Sequence, residues 1–579
     1  MSKITINVDT LDIQVSDGLT ILEAIREVNY DQLDMSIPTL YYLKGVKEVD
    51  ESGVCVAEVE GEAELVNASV YKVYEGMKVQ TKSPKCTEAR KAVLADIAAK
   101  HDKDCINCHR PGTCELQELL HKYEISSSKM DADKKVAIDD RAIIVRDHNK
   151  CIRCGRCVAV CKNGQGVEAI KATGEGWDMV VEPVSADGLI ASGCVNCGQC
   201  IIACPVGALY AKDATAQVFD AIADPNKYVM VEVAPAVRAS LGEEFDFNIG
   251  TDVEKRLPET LRALGFDKVF DTKFSADLTI MEEANEFIER LNGNGPLPIM
   301  TSCCPAWVKH CEDKHPELLA NMSSCKSPQQ MFGATAKSYY AEKMGIAKED
   351  IVMVSVMPCS AKKFEITRDD QDGAGVPDVD IAITAREFAR MIKEAEVKLT
   401  AVPFEPFDDP LGIGTGAGVI FGVTGGVMEA ALRTAVEKLT GETLPKLEFC
   451  DVRGMEGIKE ASYDIAGTTV KVAVASGLAN ADALLEKVKA GEADYHIIEV
   501  MSCPGGCING GGQPHQLAAT WDMVDVRGKR AAVLYKNDAN SPIRKSHENP
   551  AIIELYDTYL GAPGSEKAHQ LLHTTYVAR

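Results

Sequence analysis

Two runs of cysteine constrain this chain more than any other feature. Cys151, Cys154, Cys157 and Cys161 follow the spacing C-x2-C-x2-C-x3-C, and the spacing recurs at Cys194, Cys197, Cys200 and Cys204, ahead of Pro205. Three thiolates this close together wrap one corner of a [4Fe–4S] cube. The fourth cannot reach the same cube, so each run lends its last cysteine to the other. One cluster then takes Cys151, Cys154, Cys157 and Cys204, and the other takes Cys194, Cys197, Cys200 and Cys161. Zinc ribbons pair C-x2-C units and do not use this eight-cysteine crossover.

The chain carries 21 cysteines in 579 residues. An odd count, behind a start (MSKITINV) with no signal-peptide core, argues against a disulfide framework and for metal in a cytoplasmic protein. Eleven of the cysteines fall in Cys105–Cys204 and none in 205–302. This pattern suggests small cluster modules joined to a larger domain. A formal charge of −25 makes nucleic acid a poor partner. The longest uncharged run, Leu411–Met428, holds seven glycines and two threonines. It reads as buried strand and turns, with no membrane insertion expected.

The expected fold class is a multidomain α+β and α/β chain of four units. Residues 1–80 alternate at Ile4–Val8 and Val54–Val59 around a Thr20-capped helix Ile21–Val28, and resemble a plant-type ferredoxin of β-grasp shape. That fold needs four cysteines for a [2Fe–2S] cluster. Only Cys55 is present, with Tyr41, Ser52 and Ser69 where partners are expected. The expectation is therefore a docking or structural module in which a [2Fe–2S] cluster is unlikely. Residues 81–124 contain a linking helix, Glu88–Lys100, and the set His101, Cys105, Cys108 and Cys114. One imidazole and three thiolates suit either zinc or a [4Fe–4S] cluster, and the neighbouring clusters favour iron. His109 reads as solvent-facing. Residues 137–214 resemble a bacterial ferredoxin with two [4Fe–4S] clusters. From 225 to 579, strands such as YVMVEVAP alternate with helices, one of them capped by Thr384 and Glu387. This predicts a mostly parallel, helix-covered sheet.

In that last unit, cysteines stand just after predicted strands. Cys303 and Cys304 follow Pro298–Ser302, Cys359 follows Met353–Met357, and Cys503 and Cys507 follow Ile497–Met501. Ligands bind beyond the carboxyl ends of strands in such sheets. Cys304, Cys359, Cys503 and Cys507 can thus converge on one more cluster. The loops TSCCPAW, MPCSAKK and MSCPGGCINGGGQP resemble the three signature loops of the [FeFe]-hydrogenases. The likeness extends over essentially the whole chain, because the upstream cluster modules match the larger clostridial-type members.

The resemblance implies that these four cysteines hold the cube of an H-cluster. Cys507 would bridge to a two-iron subsite carrying CO and cyanide, and the reaction would be reversible reduction of protons to H2. The implied cofactors are three [4Fe–4S] clusters plus the H-cluster. The resemblance also implies that Cys303 is the last proton donor, fed through Glu283, Ser323 and Glu286. Arg290 continues the same helix face within Asp277–Leu291. Lys362 would donate to a cyanide. Ala234, Pro235, Gln329, Met357, Phe421 and Met501 match positions lining the pocket, while Lys363 reads as a surface lysine. Ala306, Ala236 and Ser502 depart from common family residues, which implies a shifted potential and no loss of activity.

Three functions remain open from the residues. The chain is a cytosolic hydrogenase supplied by ferredoxin, a hydrogen-sensing or Fe–S assembly relative without turnover, or the catalytic subunit of an electron-bifurcating NAD(P)H-linked complex. The implied partners are ferredoxin, NAD(P)H-oxidising subunits, and maturation proteins that install the two-iron subsite.

Overall fold

The computed structural model describes residues 2–28, 37–126, 135–465 and 467–579. The first module pairs β1 (Lys3–Val8) with β2 (Leu11–Ser16). With β3 (Val56–Val59), β4 (Val66–Asn67) and β5 (Lys78–Gln80) it forms a sheet ordered β2-β1-β5-β3-β4, in which β1 and β5 run parallel. The helix Ile21–Glu27 begins at a capping box. The Thr20 hydroxyl accepts from the Glu23 N–H, and the Glu23 carboxylate accepts from the Thr20 N–H. Its Ile21, Leu22 and Ile25 are buried in the core they share with the sheet, as in a β-grasp. The Asp50 carboxylate accepts from the backbone N–H groups of Leu40, Tyr41 and Tyr42, which pins the following loop. The Tyr41 hydroxyl donates to the Ile152 carbonyl and fastens this module to the two-cluster unit.

The linking helix runs Pro84–Lys100, one turn earlier than expected, because Ser83 caps it and Pro84 suits its first turn. Buried Arg90 donates to the Val54, Val56 and Thr81 carbonyls and clamps this helix to the first sheet.

The two-cluster unit contains β6 (Ile144–Arg146), β7 (Ile170–Thr173), β8 (Val180–Pro183) and β9 (Leu209–Ala211), paired β6 with β9 and β7 with β8. Its duplication shows in the backbone. Arg153 and Asn196 have φ of 59° and 58°, and Gly155 and Gly198 have φ of 72° and 71°. Each run thus takes the same left-handed turns on either side of its second cysteine, one just before it and one just after it.

The large unit has two sheets where the strand pattern suggested one. Its strands are β10 (Tyr228–Val233), β11 (Lys268–Asp271), β12 (Ile299–Met300), β13 (Ile351–Met357), β14 (Ile381–Thr384), β15 (Ile458–Ile465), β16 (Thr468–Ser476) and β17 (Ile497–Met501). One sheet is β11-β10-β13-β14, all parallel. The other is β12-β17-β16-β15, with only β15 reversed. The helix Lys273–Leu291 separates them, since it is apolar on two faces. Phe274, Leu278 and Met281 pack with Met230 and Phe270, while Ala276, Ile280, Ala284 and Phe287 pack with Val472, Val474 and Ile497.

The run Leu411–Met428 is not strand. It forms the helix Gly416–Ile420, capped by Thr415, and the start of the helix Gly426–Thr440. Its glycines serve close packing. A Cβ on Gly416 would lie 2.2 Å from Asp538 Oδ1, and one on Gly418 would lie 2.4 Å from the Lys273 carbonyl. Among the described residues, no helix is long and apolar enough to cross a membrane.

Candidate active site and metal centres

Strand ends from both sheets meet at one buried cavity. Cys303 and Cys304 follow β12, Cys359 follows β13, and Cys503 and Cys507 follow β17. All five line the cavity, together with Ala234, Pro235, Gln329, Met357, Lys362, Phe421 and Met501. Every pocket residue singled out from the sequence is therefore present in one place. Thr272, Ala276 and Gly422 also line it, and sequence reasoning missed them.

The thiols fit a thiolate-held cluster. Burial pushes the thiols of Cys303 and Cys503 well up, and that of Cys359 up to about 11. Four thiols in a dry site with raised pKa become thiolates only against a compensating cation, and soft thiolates select iron–sulfur chemistry. Zinc and a cube differ in how closely they gather their ligands. Thiolates around one zinc ion lie about 3.8 Å apart at Zn–S distances near 2.3 Å. Among the described residues, no set of three ligand atoms containing a cysteine sulfur lies within 4.8 Å of one another. That holds for the His101 set as well. There burial lowers the imidazole pKa to about 4, leaving His101 neutral, with a buried Nδ1 that has no hydrogen-bond partner. A neutral buried imidazole with a free ring nitrogen suits a cluster ligand.

The other cysteines assemble in the crossed pattern. Cys154 and Cys157 are electrostatic neighbours of Cys151 and Cys204, and Cys194, Cys197 and Cys200 are neighbours of Cys161. Contacts between sets trace a path. A Cβ on Gly207, three residues after Cys204, would lie 2.3 Å from Cys108 Sγ. Cys200 neighbours Cys157, and Cys197 neighbours both Cys359 and Cys503. Where the last two sets meet, Gly198 is required. A Cβ there would lie 2.4 Å from Ser360 Oγ and 2.8 Å from Gly511 Cα. The Ser360 hydroxyl donates to the Asn196 carbonyl at 2.7 Å, and the Gln199 amide donates to the Asn509 carbonyl at 2.9 Å.

From the cavity a line of acids runs outward. Cys303 and Glu283 are electrostatic neighbours. Glu283 is 2% exposed with Oε2 unpartnered. Its carboxyl is pushed up to about 8, by burial first and then by Glu286, against a lowering contribution from the Ser323 hydroxyl. The Ser323 hydroxyl donates to Glu286 at 3.0 Å, and Arg290 donates to Glu286 at 2.5 Å. Lys362 Nζ donates to Glu365 at 2.9 Å and to the Cys303 carbonyl at 3.2 Å. Glu365 was not anticipated, although its i, i+3 position after Lys362 carried the signal.

Two expectations fail for lack of tertiary information. Lys363 is buried, and donates to Glu387 at 2.8 Å and to the Ala382 carbonyl. The Thr384–Glu387 capping box itself is present, so one carboxylate both caps a helix and pairs a lysine. His109 does not face solvent. It stacks on Tyr210 with centroids 3.6 Å apart and accepts from Arg390 at Nδ1. Ser502 reaches out of the large unit, where its hydroxyl donates to Gln165 at 3.3 Å.

Residues 227–511 match the family described as iron only hydrogenase large subunit, C-terminal domain, and 524–579 match iron hydrogenase small subunit. Upstream, 90–129 match the NADH-ubiquinone oxidoreductase-G iron-sulfur binding region and 150–208 match a 4Fe-4S dicluster domain. Residues 1–84 match a 2Fe-2S iron-sulfur cluster binding domain. This match corrects the expectation of a first module without a [2Fe–2S] cluster. That expectation counted thiols, whereas the β-grasp module as a whole is of the cluster-binding class. Its one thiol, Cys55, is fully buried. The chain is 47% identical to the NADP-reducing hydrogenase subunit HndD of Solidesulfovibrio fructosivorans, over 100% of both chains. It is 41% identical to iron hydrogenase 1 of Clostridium pasteurianum, over 99% of both. A solved [FeFe]-hydrogenase structure, HydA(deltaEFG), is 45% identical and superposes with a TM-score of 0.57, covering 63% of this chain and 99% of that one.

Proposed function

This chain belongs to the [FeFe]-hydrogenase family, and from that premise we propose how its own residues serve the reversible reduction of protons to H2. The observation that carries the reading is the convergence of Cys304, Cys359, Cys503 and Cys507 on one cavity. Cys303, thiol of a different role, opens into the same space. The four would hold the cube of the H-cluster. Bound there, that group supplies the redox-active iron at which electrons and protons combine.

The protein contributes proton delivery, positioning and exclusion of water. Glu283, with its raised pKa, holds a proton at neutral pH and passes it to Cys303. Ser323 refills Glu283 from Glu286, which is half-buried at the outer end and oriented by Arg290. Glu365 fixes the Lys362 ammonium, which stands where an anionic diatomic ligand can accept from it. Met357, Phe421 and Met501 keep the cavity apolar. Clusters held by these sets would supply electron transfer, with Cys108, Cys157, Cys200 and Cys197 standing at the contacts between sets.

The full-length likeness to an NADP-reducing hydrogenase subunit favours one refinement, that this chain works as the catalytic subunit of an NADP-linked assembly with partner subunits. The complete acid line from Cys303 to Glu286 disfavours a sensor without turnover. Hydrogen evolution from reduced viologen tests the enzyme reading. Turnover by the matured chain supports it, and a fully iron-loaded chain without turnover refutes it. Addition of NADPH with and without copurifying subunits tests the refinement.

A further inference from the structure

Glu232 is a charged residue next to the carboxyl end of β10, and it is fully buried. The register sets it beside Ser355 of β13 and Phe270 of β11. Thr272 Oγ1 donates to its Oε2 at 2.7 Å, while Oε1 has no hydrogen-bond partner. Thr272 in turn lines the cavity. We propose that Glu232 is a further positioning residue of this cavity, keeping a proton on its bare Oε1 and holding the Thr272 hydroxyl of the cavity wall at its Oε2.

A buried carboxylate with one oxygen bare is costly, whereas the neutral acid is tolerated. The surrounding charges leave Glu232 no cation of its own. Lys362 favours ionisation, but it is paired to Glu365. Asp271 and Glu365 oppose ionisation. Asp271 is already matched by Arg238 at 2.7 Å and by Lys273 at 3.4 Å. Burial pushes the Glu232 carboxyl well above the usual range. This group is separate from the acid line described above. Thr272 precedes the helix that carries Glu283, and the 11 residue steps from one to the other span about 16 Å at 1.5 Å per residue. Loss of the Glu232 proton would add negative charge near Lys362 and tighten the hold of the carboxylate on the Thr272 hydroxyl. Ionisation is therefore felt at whatever the cavity holds.

The inference rests on the cavity being the seat of a CO- and cyanide-ligated group, and infrared spectroscopy of the matured enzyme reads both. In the native enzyme, raising the pH moves the CO and cyanide bands to lower frequency. In Glu232→Gln, with iron per chain unchanged, the bands stay at their low-pH positions throughout. Thr272→Val keeps the carboxyl and weakens the response. It carries the test alone if Glu232→Gln does not load iron. The response persists in Cys303→Ser, which separates it from the proton relay. Native bands indifferent to pH overturn the inference, as does a Glu232→Gln variant that follows the native course. So do an undiminished response in Thr272→Val and its loss in Cys303→Ser. No CO or cyanide bands at all in the matured native enzyme would instead refute the reading of the cavity, and the inference with it.

Discussion

The Lys362 ammonium lies 3.2 Å from the carbonyl oxygen of Cys303, held there by the carboxylate of Glu365 at 2.9 Å. Burial alone would lower the lysine's pKa, but Glu365, with Cys359 and Cys303, makes the net direction upward. The charge is thereby kept at the cavity wall. Glu365→Ala would leave a buried ammonium unpaired, which costs about 3–5 kcal/mol. Denaturant unfolding should show a loss of that order, with a smaller loss for Glu365→Gln.

Cys303→Ser should keep the iron content and lose turnover. A positioned proton donor contributes about 10²–10⁴-fold. Hydrogen evolution should fall by that order while iron per chain is unchanged.

Glu283 makes stability depend on pH. Its folded pKa of about 8 lies above the ordinary value of 4.5 for a solvated glutamate. Between these two values the native state keeps a proton that the unfolded chain releases. Stability therefore falls as pH rises through this window and levels off above about 8, at up to roughly 1.4 kcal/mol per pH unit. Unfolding midpoints measured across the window should show this slope, and Glu283→Gln should flatten it. Proton-dependent turnover should decline above about pH 8 for the same reason.

The two ferredoxin-type cysteine runs were legible in the sequence because each run is local. Cys151 to Cys161 and Cys194 to Cys204 specify a cube by spacing alone, whatever the surrounding fold. The H-cluster loops were legible because each ends a strand. Features set by distant partners were not. Lys363 finds Glu387, and His109 finds Tyr210 and Arg390, only once the chain is folded. The glycines of 411–428 signal turns in a sequence, but here they admit Lys273 and Asp538 at close range. Glu232 reads as an ordinary polar residue in a strand, and nothing local shows that both faces of that strand are covered. The first module was misjudged because its class resides in sheet order and core, not in its single thiol.

Gly198→Ala should disturb the junction between the two-cluster unit and the cavity. Its φ of 71° disfavours any side chain, and the added Cβ would press on Gly511 backbone. Overpacking of this kind costs about 1–3 kcal/mol. Turnover driven from the upstream clusters should slow, while H2 evolution from a small reductant that reaches the cavity directly should be less affected. Freeze-quenched spectra of cluster reduction would check this.

The His101 set should contain iron and no zinc. Cys105→Ala should lower the metal content by about four iron atoms per chain, as expected for loss of one cube. Elemental analysis of native and variant protein distinguishes this from the loss of a single zinc.

The convergence of Cys304, Cys359, Cys503 and Cys507 is tested most directly by infrared spectroscopy of the anaerobically matured chain. The account predicts bands of iron-bound CO and cyanide in the native protein and their disappearance in Cys507→Ser. A native chain with its full iron content and no such bands, or a Cys507→Ser chain that retains them unchanged, would contradict it.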